Sequence, residues 1–467
     1  MPSSSDSSDS APTQTASDEG SYARELSLFD GIMVVAGGII GSGIFRGPDV
    51  VAERVDTPEL IMAAWAVGGS IALIGALCFA ELGARRPEAG GGYVYLREAF
   101  GPLFGFLYGW KLIFISATGA IAALAITFAD YAVDLFGLAG SWSLPIAIAS
   151  IVFLSGVNYF GVRFGSLTQN IFTVLKLGAL AGLVATGLWL GAGELTTPDT
   201  AAQSVWATEG PWGVIAAFGA ALTPVLFAHG GWQHANHLAA EIHRPNRNLP
   251  LSLLIGVGAV VGSYLLANYA YLYALGVEGL AQSDAPASDA MQALLGNTGG
   301  TLIGIGVMVS VFGILNLIIM AAPRVTQAMA EDDLFFRPFA RLHPEYRTPS
   351  WAILFQAGWA TVLAVSGTFG QLLNYVVFGD WILFALIVGT LFVYRRRDAD
   401  EEPSDTFRMI GYPLLPLLFI AASIFVVVST IASMSLLNAG IGTGLLSLGV
   451  VVYFGFRWAR RREAPRS

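Results

Sequence analysis

The chain has 467 residues, of which 55% are hydrophobic and only 12% are charged, and its formal net charge is −9. A soluble domain normally carries about 25% charged residues, so the composition excludes an ordinary soluble protein and indicates an all-α membrane protein. We expect no nucleic-acid partner, no cofactor and no enzymatic activity, because no nucleophile–base set and no cluster of metal ligands falls inside an apolar run.

The chain begins with a Ser/Asp-rich acidic segment, residues 1–25, which holds too few apolar residues to fold. This segment lacks the basic start, the apolar run and the small-residue cleavage site of a signal peptide. We therefore expect a disordered cytoplasmic tail, and we expect the first apolar run to direct insertion into the membrane.

Apolar runs of about 20 residues, long enough to cross a bilayer, recur along the rest of the chain. We predict twelve spans, at 29–52, 59–83, 102–128, 142–158, 168–190, 211–240, 250–275, 298–330, 350–366, 371–394, 409–431 and 438–457. Arginine concentrates in alternate loops and in the C-terminal tail. By the positive-inside rule, both termini are then cytoplasmic, in a protein of the plasma or bacterial inner membrane.

Two of these runs are interrupted by glycine, the first at Gly41 and Gly43 and the second at Gly230 and Gly231. Unpaired backbone groups are costly in lipid, so a break at mid-depth must face protein or water. Paired breaks of this kind point to the substrate site of a transporter. The alternative is that the glycines only allow close packing between helices.

The positions of the two broken runs also predict the organisation of the chain. If they are spans 1 and 6, they open two halves of five spans each. Because five is odd, the second half enters from the opposite side, and the two halves form an inverted repeat. We predict a transporter core at residues 26–395, two additional spans at 396–458 and a basic cytoplasmic tail at 459–467.

An unwound helix exposes backbone groups of both polarities. Freed N–H groups at the start of the outer half-helix suit a carboxylate, and freed carbonyls at the end of the inner half-helix suit an ammonium group. Together they match the zwitterionic backbone of an amino acid. The residues predicted to bind the substrate are Ile39, Gly41, Ser42, Gly43, Ile44, Phe227, Ala228, His229, Gly230 and Trp232.

The chain has only two lysines, Lys111 and Lys176, and both fall inside apolar runs. A charge at mid-depth costs roughly 3 kcal/mol or more unless it is paired, so an intramembrane lysine is functional by default. We expect the Lys176 ammonium to lie beside the first break, where it stands in for a sodium ion or titrates; snorkelling is the alternative. Three interpretations of Lys111 stay open: a functional role, a position in an aqueous vestibule, or a role in helix packing.

Histidines concentrate near the second break. His234, His237 and Glu241 share a helix face, but nothing supplies a fourth ligand, and we predict no metal site. His229 lies in the break itself, where it would line the pocket or confer pH dependence. The single cysteine, Cys78, lies inside an apolar run, which argues against a disulfide-linked heavy chain.

The segment Gly38–Phe45, Gly-Ile-Ile-Gly-Ser-Gly-Ile-Phe, resembles the span-1 motif of the amino acid–polyamine–organocation (APC) superfamily of transporters. Residues 227–232, followed by Glu241–Pro250, resemble its L-type amino acid transporter branch and the bacterial relatives of that branch. The resemblance covers Asp30 to Arg457. It implies a LeuT-like fold with a 5+5 inverted repeat and amino-acid transport by alternating access without sodium.

The resemblance also implies roles for particular residues. Ile39, Ser42 and Gly43 would meet the substrate's amine and carboxylate, Phe227 with Gly230 nearby would gate the site from outside, and Lys176 would replace sodium. Two departures stand out: His229 occupies a position that is usually tyrosine in the eukaryotic branch, and the extracellular cysteine that links a heavy chain is absent.

The leading hypothesis is a sodium-independent carrier of neutral amino acids. We expect no acidic residue at mid-depth in spans 3, 8 and 10, which disfavours a cationic substrate and a carboxylate proton relay and favours exchange. Proton symport remains the alternative, because Lys176 could titrate. A polyamine or amine carrier would need acidic pocket residues, and a non-transporting amino-acid sensor is a further alternative.

Overall fold

The computed structural model describes residues 21–190, 205–367, 369–398, 406–433 and 436–463. Within these ranges the regular structure is helical, apart from one parallel bridge between Leu26 and Ile242. The predicted disordered tail lies outside the described residues up to residue 20. Of the predicted basic tail, residues 459–463 are described, and they continue the last helix.

The described residues 21–190 contain nine α-helices. They are α1 (Leu28–Ile39), α2 (Ser42–Arg46), α3 (Pro48–Arg54), α4 (Pro58–Arg85), α5 (Gly92–Phe100), α6 (Pro102–Lys111), α7 (Ala117–Phe136), α8 (Ser143–Tyr159) and α9 (Val162–Leu190). Helix α1 starts at a capping box: the Asp30 N–H donates to Ser27 Oγ at 3.2 Å, and the Ser27 N–H donates to Asp30 Oδ2 at 2.8 Å. A π-helical turn, Leu112–Ser116, joins α6 to α7.

The part of the chain described after residue 204 contains nine more α-helices. They are α10 (Val205–Ala228), α11 (His234–His237), α12 (Pro245–Ala281), α13 (Pro286–Leu295), α14 (Asn297–Glu331), α15 (Ser350–Ser366), α16 (Phe369–Arg397), α17 (Leu414–Ser433) and α18 (Leu436–Glu463). Glycines with positive φ bend two of these long helices, Gly210 in α10 and Gly276 in α12.

Nine helical runs in the described part of the chain are long and apolar enough to cross a membrane. One of them combines α6, the π-helical turn and α7 into a run of 35 residues. Helix α15 is apolar but shorter than these runs. The chain is therefore a multi-pass membrane protein, whereas the count of twelve spans stays a prediction.

Helix α1 lies at the centre of the structure, in contact with α9, α12 and α14. Most residues of α1 are buried. By contrast, α8, α9 and α17 expose large apolar side chains such as Phe153, Val174 and Val428. An exposed apolar face suits contact with lipid. The broken helix is thus held inside the protein, where its unpaired backbone groups can find polar partners.

The side of the membrane on which α1 begins, here called the N-side, is tied together by ion pairs. The Glu81 carboxylate at the end of α4 accepts from Arg85 at 2.8 Å and from Arg395 at 2.6 Å. Arg86 bridges Asp398 at 3.0 Å. Burial opposes ionisation of Asp398, but its hydrogen bond from Arg397 and the charge of Arg86 hold its pKa below the usual range.

A second N-side contact joins the start of the chain to the segment after the second break. The Leu26 N–H donates to the Glu241 carbonyl at 2.9 Å, and the His243 N–H donates to the Leu26 carbonyl at 2.8 Å. The Glu241 side chain is fully buried and pairs with Arg324 of α14 at 2.9 Å. The two broken regions are therefore linked on this side through backbone and side chains.

Candidate functional site

The first break separates α1 from α2 at Ile40 and Gly41. Ile40 has φ −69° and ψ 97°, and Gly41 has φ −129° and ψ −160°, both extended conformations. The interruption lies at the start of the Gly41–Gly43 segment, and Gly43 itself is helical within α2. The two half-helices therefore meet at mid-run with their free ends facing each other.

The carbonyls at the end of α1 have no partner within the helix, as at any helix C-terminus, and three side chains from other helices bind them. Lys176 Nζ of α9 donates to the Gly37 carbonyl at 2.7 Å and to the Ile40 carbonyl at 3.0 Å. Ser310 Oγ of α14 also donates to the Ile40 carbonyl, at 3.0 Å. The Tyr264 hydroxyl of α12 donates to the Ile39 carbonyl at 3.0 Å.

Lys176 is completely buried, and its ammonium sits at the negative end of the α1 dipole. Space for it comes from Gly313 of α14: a Cβ added there would lie 3.1 Å from Nζ. A fixed positive charge thus occupies a position lined by backbone carbonyls, which is the environment that a bound monovalent cation would need.

The opposite end of the break presents backbone N–H groups. Helix α2 begins at Ser42, and no side chain caps its first turn. The N–H groups of a first helical turn have no partner within the helix and favour anions. Ser42 and Gly43 are both partly exposed.

Helix α2 packs closely against the end of α10. A Cβ added at Gly43 would lie 2.8 Å from both Cα and Cβ of Ala228. Gly43 therefore has a packing role as well as an exposed backbone. The Ile44 carbonyl accepts from the Tyr271 hydroxyl at 3.2 Å, so α2 is also attached to α12.

The second break runs from His229 to Gln233, between α10 and α11. Gly231 has φ +114°, a conformation that suits only glycine. A Cβ added there would lie 2.2 Å from the Gly38 carbonyl oxygen, and one added at Gly38 would lie 2.8 Å from the Gly231 carbonyl oxygen. The two broken regions therefore cross with backbone against backbone.

The predicted side chains of the second break point in different directions. Phe227 is 62% exposed. The His229 ring is buried against Trp65 and Tyr264, with centroid distances of 5.6 and 5.0 Å. Trp232 is buried against Phe79 at 4.7 Å. The structure thus brings together Ser42, Gly43, Ala228 and Lys176 along the break, whereas the rings of His229 and Trp232 lie among other helices.

Sequence reasoning missed Ser310 and Tyr264, the two hydroxyl groups that bind the freed carbonyls beside Lys176. Each is a polar residue within an apolar run, but serine and tyrosine are common in membrane helices, and their periodicity carries no sign of a partner in another span. Only the fold brings them to the break.

The expectation of no acidic residue at mid-depth in spans 3, 8 and 10 is wrong. Asp380 lies within α16 and forms an ion pair with Lys111 of α6. The Lys111 side chain is 3% exposed and that of Asp380 is 40% exposed. A paired charge costs much less to bury than an isolated one, which is how an apolar run accommodates each member. The ion pair therefore joins α6 to α16.

A small polar cavity of about 30 Å³ adjoins this ion pair, next to His234 and His237 of α11. The Tyr108 hydroxyl contacts His237 Nε2 at 2.8 Å. This volume holds one or two water molecules and is too small for an amino acid. Glu241, which shares the predicted helix face with the two histidines, is instead engaged by Arg324.

Comparison with known proteins gives consistent matches over nearly the whole chain. A family model described as amino acid permease matches residues 26–456. The serine/threonine exchanger SteT of Bacillus subtilis is 32% identical over 437 residues, which cover 93% of this chain and 97% of that protein. The human b(0,+)-type amino acid transporter 1 is 31% identical over 456 residues, 95% of this chain and 91% of that protein. The human large neutral amino acids transporter small subunit 2 is 32% identical over 446 residues, with 94% and 81% covered.

Proposed function

The chain belongs to the amino acid permease family and is an amino-acid transporter, and on that basis we propose that it exchanges neutral amino acids without sodium, by alternating access. The resemblance to the APC superfamily is confirmed, and the protein is a transporter and not an enzyme. The single observation that carries the proposal is the Lys176 ammonium, bound to freed carbonyls beside an uncapped helix start.

The proposed architecture is a LeuT-like 5+5 inverted repeat over residues 26–395, followed by two further helices over 396–458. The breaks at Ile40–Gly41 and at His229–Gln233 support this organisation, because each interrupts an apolar run at the start of one proposed half. The arginine-rich N-side supports cytoplasmic termini in a plasma or bacterial inner membrane.

In the proposed site, the N–H groups at Ser42 and Gly43 bind the substrate's carboxylate. The backbone carbonyls of the second break bind its ammonium group. Ala228 and Gly230 line the site through their backbone atoms. Ile39, Gly41 and Ile44 would contribute backbone, since the side chains of Ile39 and Ile44 are buried. Phe227, 62% exposed at the end of α10, would close over the substrate.

Independence from sodium follows from the position of Lys176. Its ammonium already occupies the Gly37 and Ile40 carbonyls, and a second cation at the same oxygens would repel it strongly in a medium of low dielectric. We propose that this lysine takes the place of a coupling ion and gates the change between outward- and inward-facing states.

The proposal also specifies the charge of the substrate, which is neutral, and the mode of transport, which is exchange. Although Asp380 lies at mid-depth, Lys111 neutralises it, so the pair adds no net charge that would select a cationic side chain. The name of the Bacillus relative describes an exchanger. The alternative is proton symport, which would use a titrating Lys176. Cys78, the single cysteine, is buried in α4, which supports a protein that works without a disulfide-linked heavy chain.

The test is uptake of labelled L-serine and L-leucine into proteoliposomes in sodium-free buffer. Vesicles preloaded with the same unlabelled amino acid should accumulate label, and empty vesicles should not. Adding sodium should change neither rate. Uptake into empty vesicles that follows an inward proton gradient would replace exchange by symport. Saturable binding without any uptake would indicate a sensor.

A further inference from the structure

A cavity of about 340 Å³ lies beyond the first break, on the side of the membrane opposite the N-side, here called the far side. It is bounded by α2, α7, α13 and α14. Arg46 on its wall is four residues beyond Ser42, or about 6 Å along the axis of α2 at the helical rise. The volume falls in the range of ligand pockets, about 300–1,000 Å³.

The cavity wall carries charges of both signs. Arg46 at the end of α2 lines the cavity together with Asp130 and Asp134 of α7, two carboxylates at i and i+4 on one helix face. The Arg46 guanidinium lies over the Tyr131 ring, 6.0 Å from its centroid. Asp130 Oδ1 accepts from Ser143 Oγ at 2.5 Å, which fixes that carboxylate. In the part of the chain that the structure describes, no ion pair joins Arg46 to either carboxylate. Among the described residues, Arg46 and the two carboxylates thus line one cavity without forming an ion pair with each other.

A zwitterion matches this arrangement. A guanidinium binds a carboxylate through two parallel hydrogen bonds, and two carboxylates on one helix face can hold an ammonium group between them. A simple anion would be repelled by the two aspartates, and a simple cation would leave Arg46 unmatched. Polar groups of Thr127 and Ser288 complete the wall.

We propose that this far-side vestibule is a second binding site for the transported amino acid. Arg46 binds the α-carboxylate, and Asp130 and Asp134 bind the α-ammonium group, before the substrate passes to the first break. The inference rests on the proposed transport function, because it assigns the same substrate to a second position along one path. The vestibule serves only substrate that arrives from the far side.

This sidedness defines the experiment. Right-side-out membrane vesicles keep the orientation that the protein has in cells. In one series the external concentration of labelled L-serine is varied at a fixed internal concentration, which gives the KM for external substrate. In the other series the internal concentration is varied at a fixed external concentration, which gives the KM for internal substrate. Arg46→Gln and Asp134→Asn should each raise the KM for external substrate about tenfold, which corresponds to about 1.4 kcal/mol of binding, and leave the KM for internal substrate unchanged. L-leucine serves as a second probe.

The matched control is Glu59→Gln, which removes one acidic charge from an exposed position at the start of α4 and does not touch the vestibule. It should change neither KM. Equilibrium binding to purified protein gives a second readout: two molecules of L-serine per wild-type chain, one of which should bind about tenfold more weakly in the Arg46→Gln chain.

Each outcome is decisive for one of the two proposals. External KM values equal to wild type in both variants, or an equal rise on both sides, would overturn the vestibule, as would one bound L-serine per wild-type chain. If the wild-type protein itself shows no exchange of either amino acid, the proposed function fails instead.

Discussion

The two broken regions solve one physical problem in different ways. At the first break, side chains from three other helices satisfy the carbonyls freed from α1, and Lys176 makes two of those hydrogen bonds. At the second break, Gly231 passes against Gly38 with backbone on backbone, and the neighbouring rings pack into aromatic clusters. Side-chain hydrogen bonds stabilise the first break, whereas the second depends on a close backbone contact that leaves no room for a Cβ.

This difference shows what each glycine does. Gly231 is required by its positive φ and by the nearness of the Gly38 carbonyl, whatever the ligand. The first break owes its form to polar partners in distant helices, so its glycines alone do not define it. In the proposed site, the N–H groups for the substrate's carboxylate therefore lie at the first break, and the carbonyls for its ammonium group lie at the second.

The largest effect is expected from Gly231→Ala. The added methyl group would lie 2.2 Å from the Gly38 carbonyl in a strained backbone conformation, and neither backbone can yield without moving a broken helix. We expect loss of exchange and a large drop in melting temperature of the purified protein. The control is Gly230→Ala, where the nearest neighbour of a new Cβ is the Phe227 carbonyl at 3.3 Å. Because Gly230 lies in the proposed substrate site, the two variants are compared by melting temperature, and an equal drop in both would contradict the steric account.

Next in size is Lys176→Met, which keeps the length of the side chain and removes the charge. The Gly37 and Ile40 carbonyls lose their ammonium donor, so the change between states should slow. We expect turnover in proteoliposomes to fall at least about tenfold, or about 1.4 kcal/mol in barrier height, with a smaller change in binding. A variant that exchanges at the wild-type rate at every pH would remove Lys176 from the mechanism.

A smaller effect is expected from Gly43→Ala. The new Cβ would lie 2.8 Å from Cα and Cβ of Ala228, so α2 must shift away from α10 and carry its free N–H groups with it. We expect KM to rise several-fold with less change in kcat. Adding Ala228→Gly, which removes one of the two contacts, should restore part of the loss. No recovery would show that crowding against α10 is not the cause.

The smallest effect is expected from Ser310→Ala. It removes one of the two donors to the Ile40 carbonyl and leaves Lys176 in place. A single hydrogen bond contributes about 1 kcal/mol, so melting temperature and turnover should change slightly. A loss as large as that of Lys176→Met would mean that the hydroxyl, and not the ammonium group, dominates this end of the break.

Much of the fold can be predicted from local features of the sequence. The apolar runs and the two glycine breaks depend on neighbours in sequence, and the described part of the chain has helices in those runs and breaks at Ile40–Gly41 and at His229–Gln233. The position of Lys176 beside the first break could also be anticipated, because a buried ammonium needs oxygen partners. Its role in gating stays a prediction.

Long-range pairs could not be anticipated in the same way. Asp380 is hard to recognise from the sequence because a window of apolar residues with one charge still predicts a membrane span. Its partner Lys111 is far away in the sequence. The burial of His229 and Trp232 among α4 and its neighbours depends on which way each ring turns after the break. The vestibule brings Arg46 of α2 together with α7, α13 and α14, all of which are distant from α2 in sequence.

The central claim is that the breaks bind the backbone of an amino acid through both its charged groups. The most direct measurement is competition for labelled L-leucine binding by L-leucine, by its decarboxylated amine and by its deaminated acid. The account predicts strong competition by L-leucine and none by either analogue at the same concentration. Competition by the amine as strong as by L-leucine would contradict it and would indicate an amine carrier.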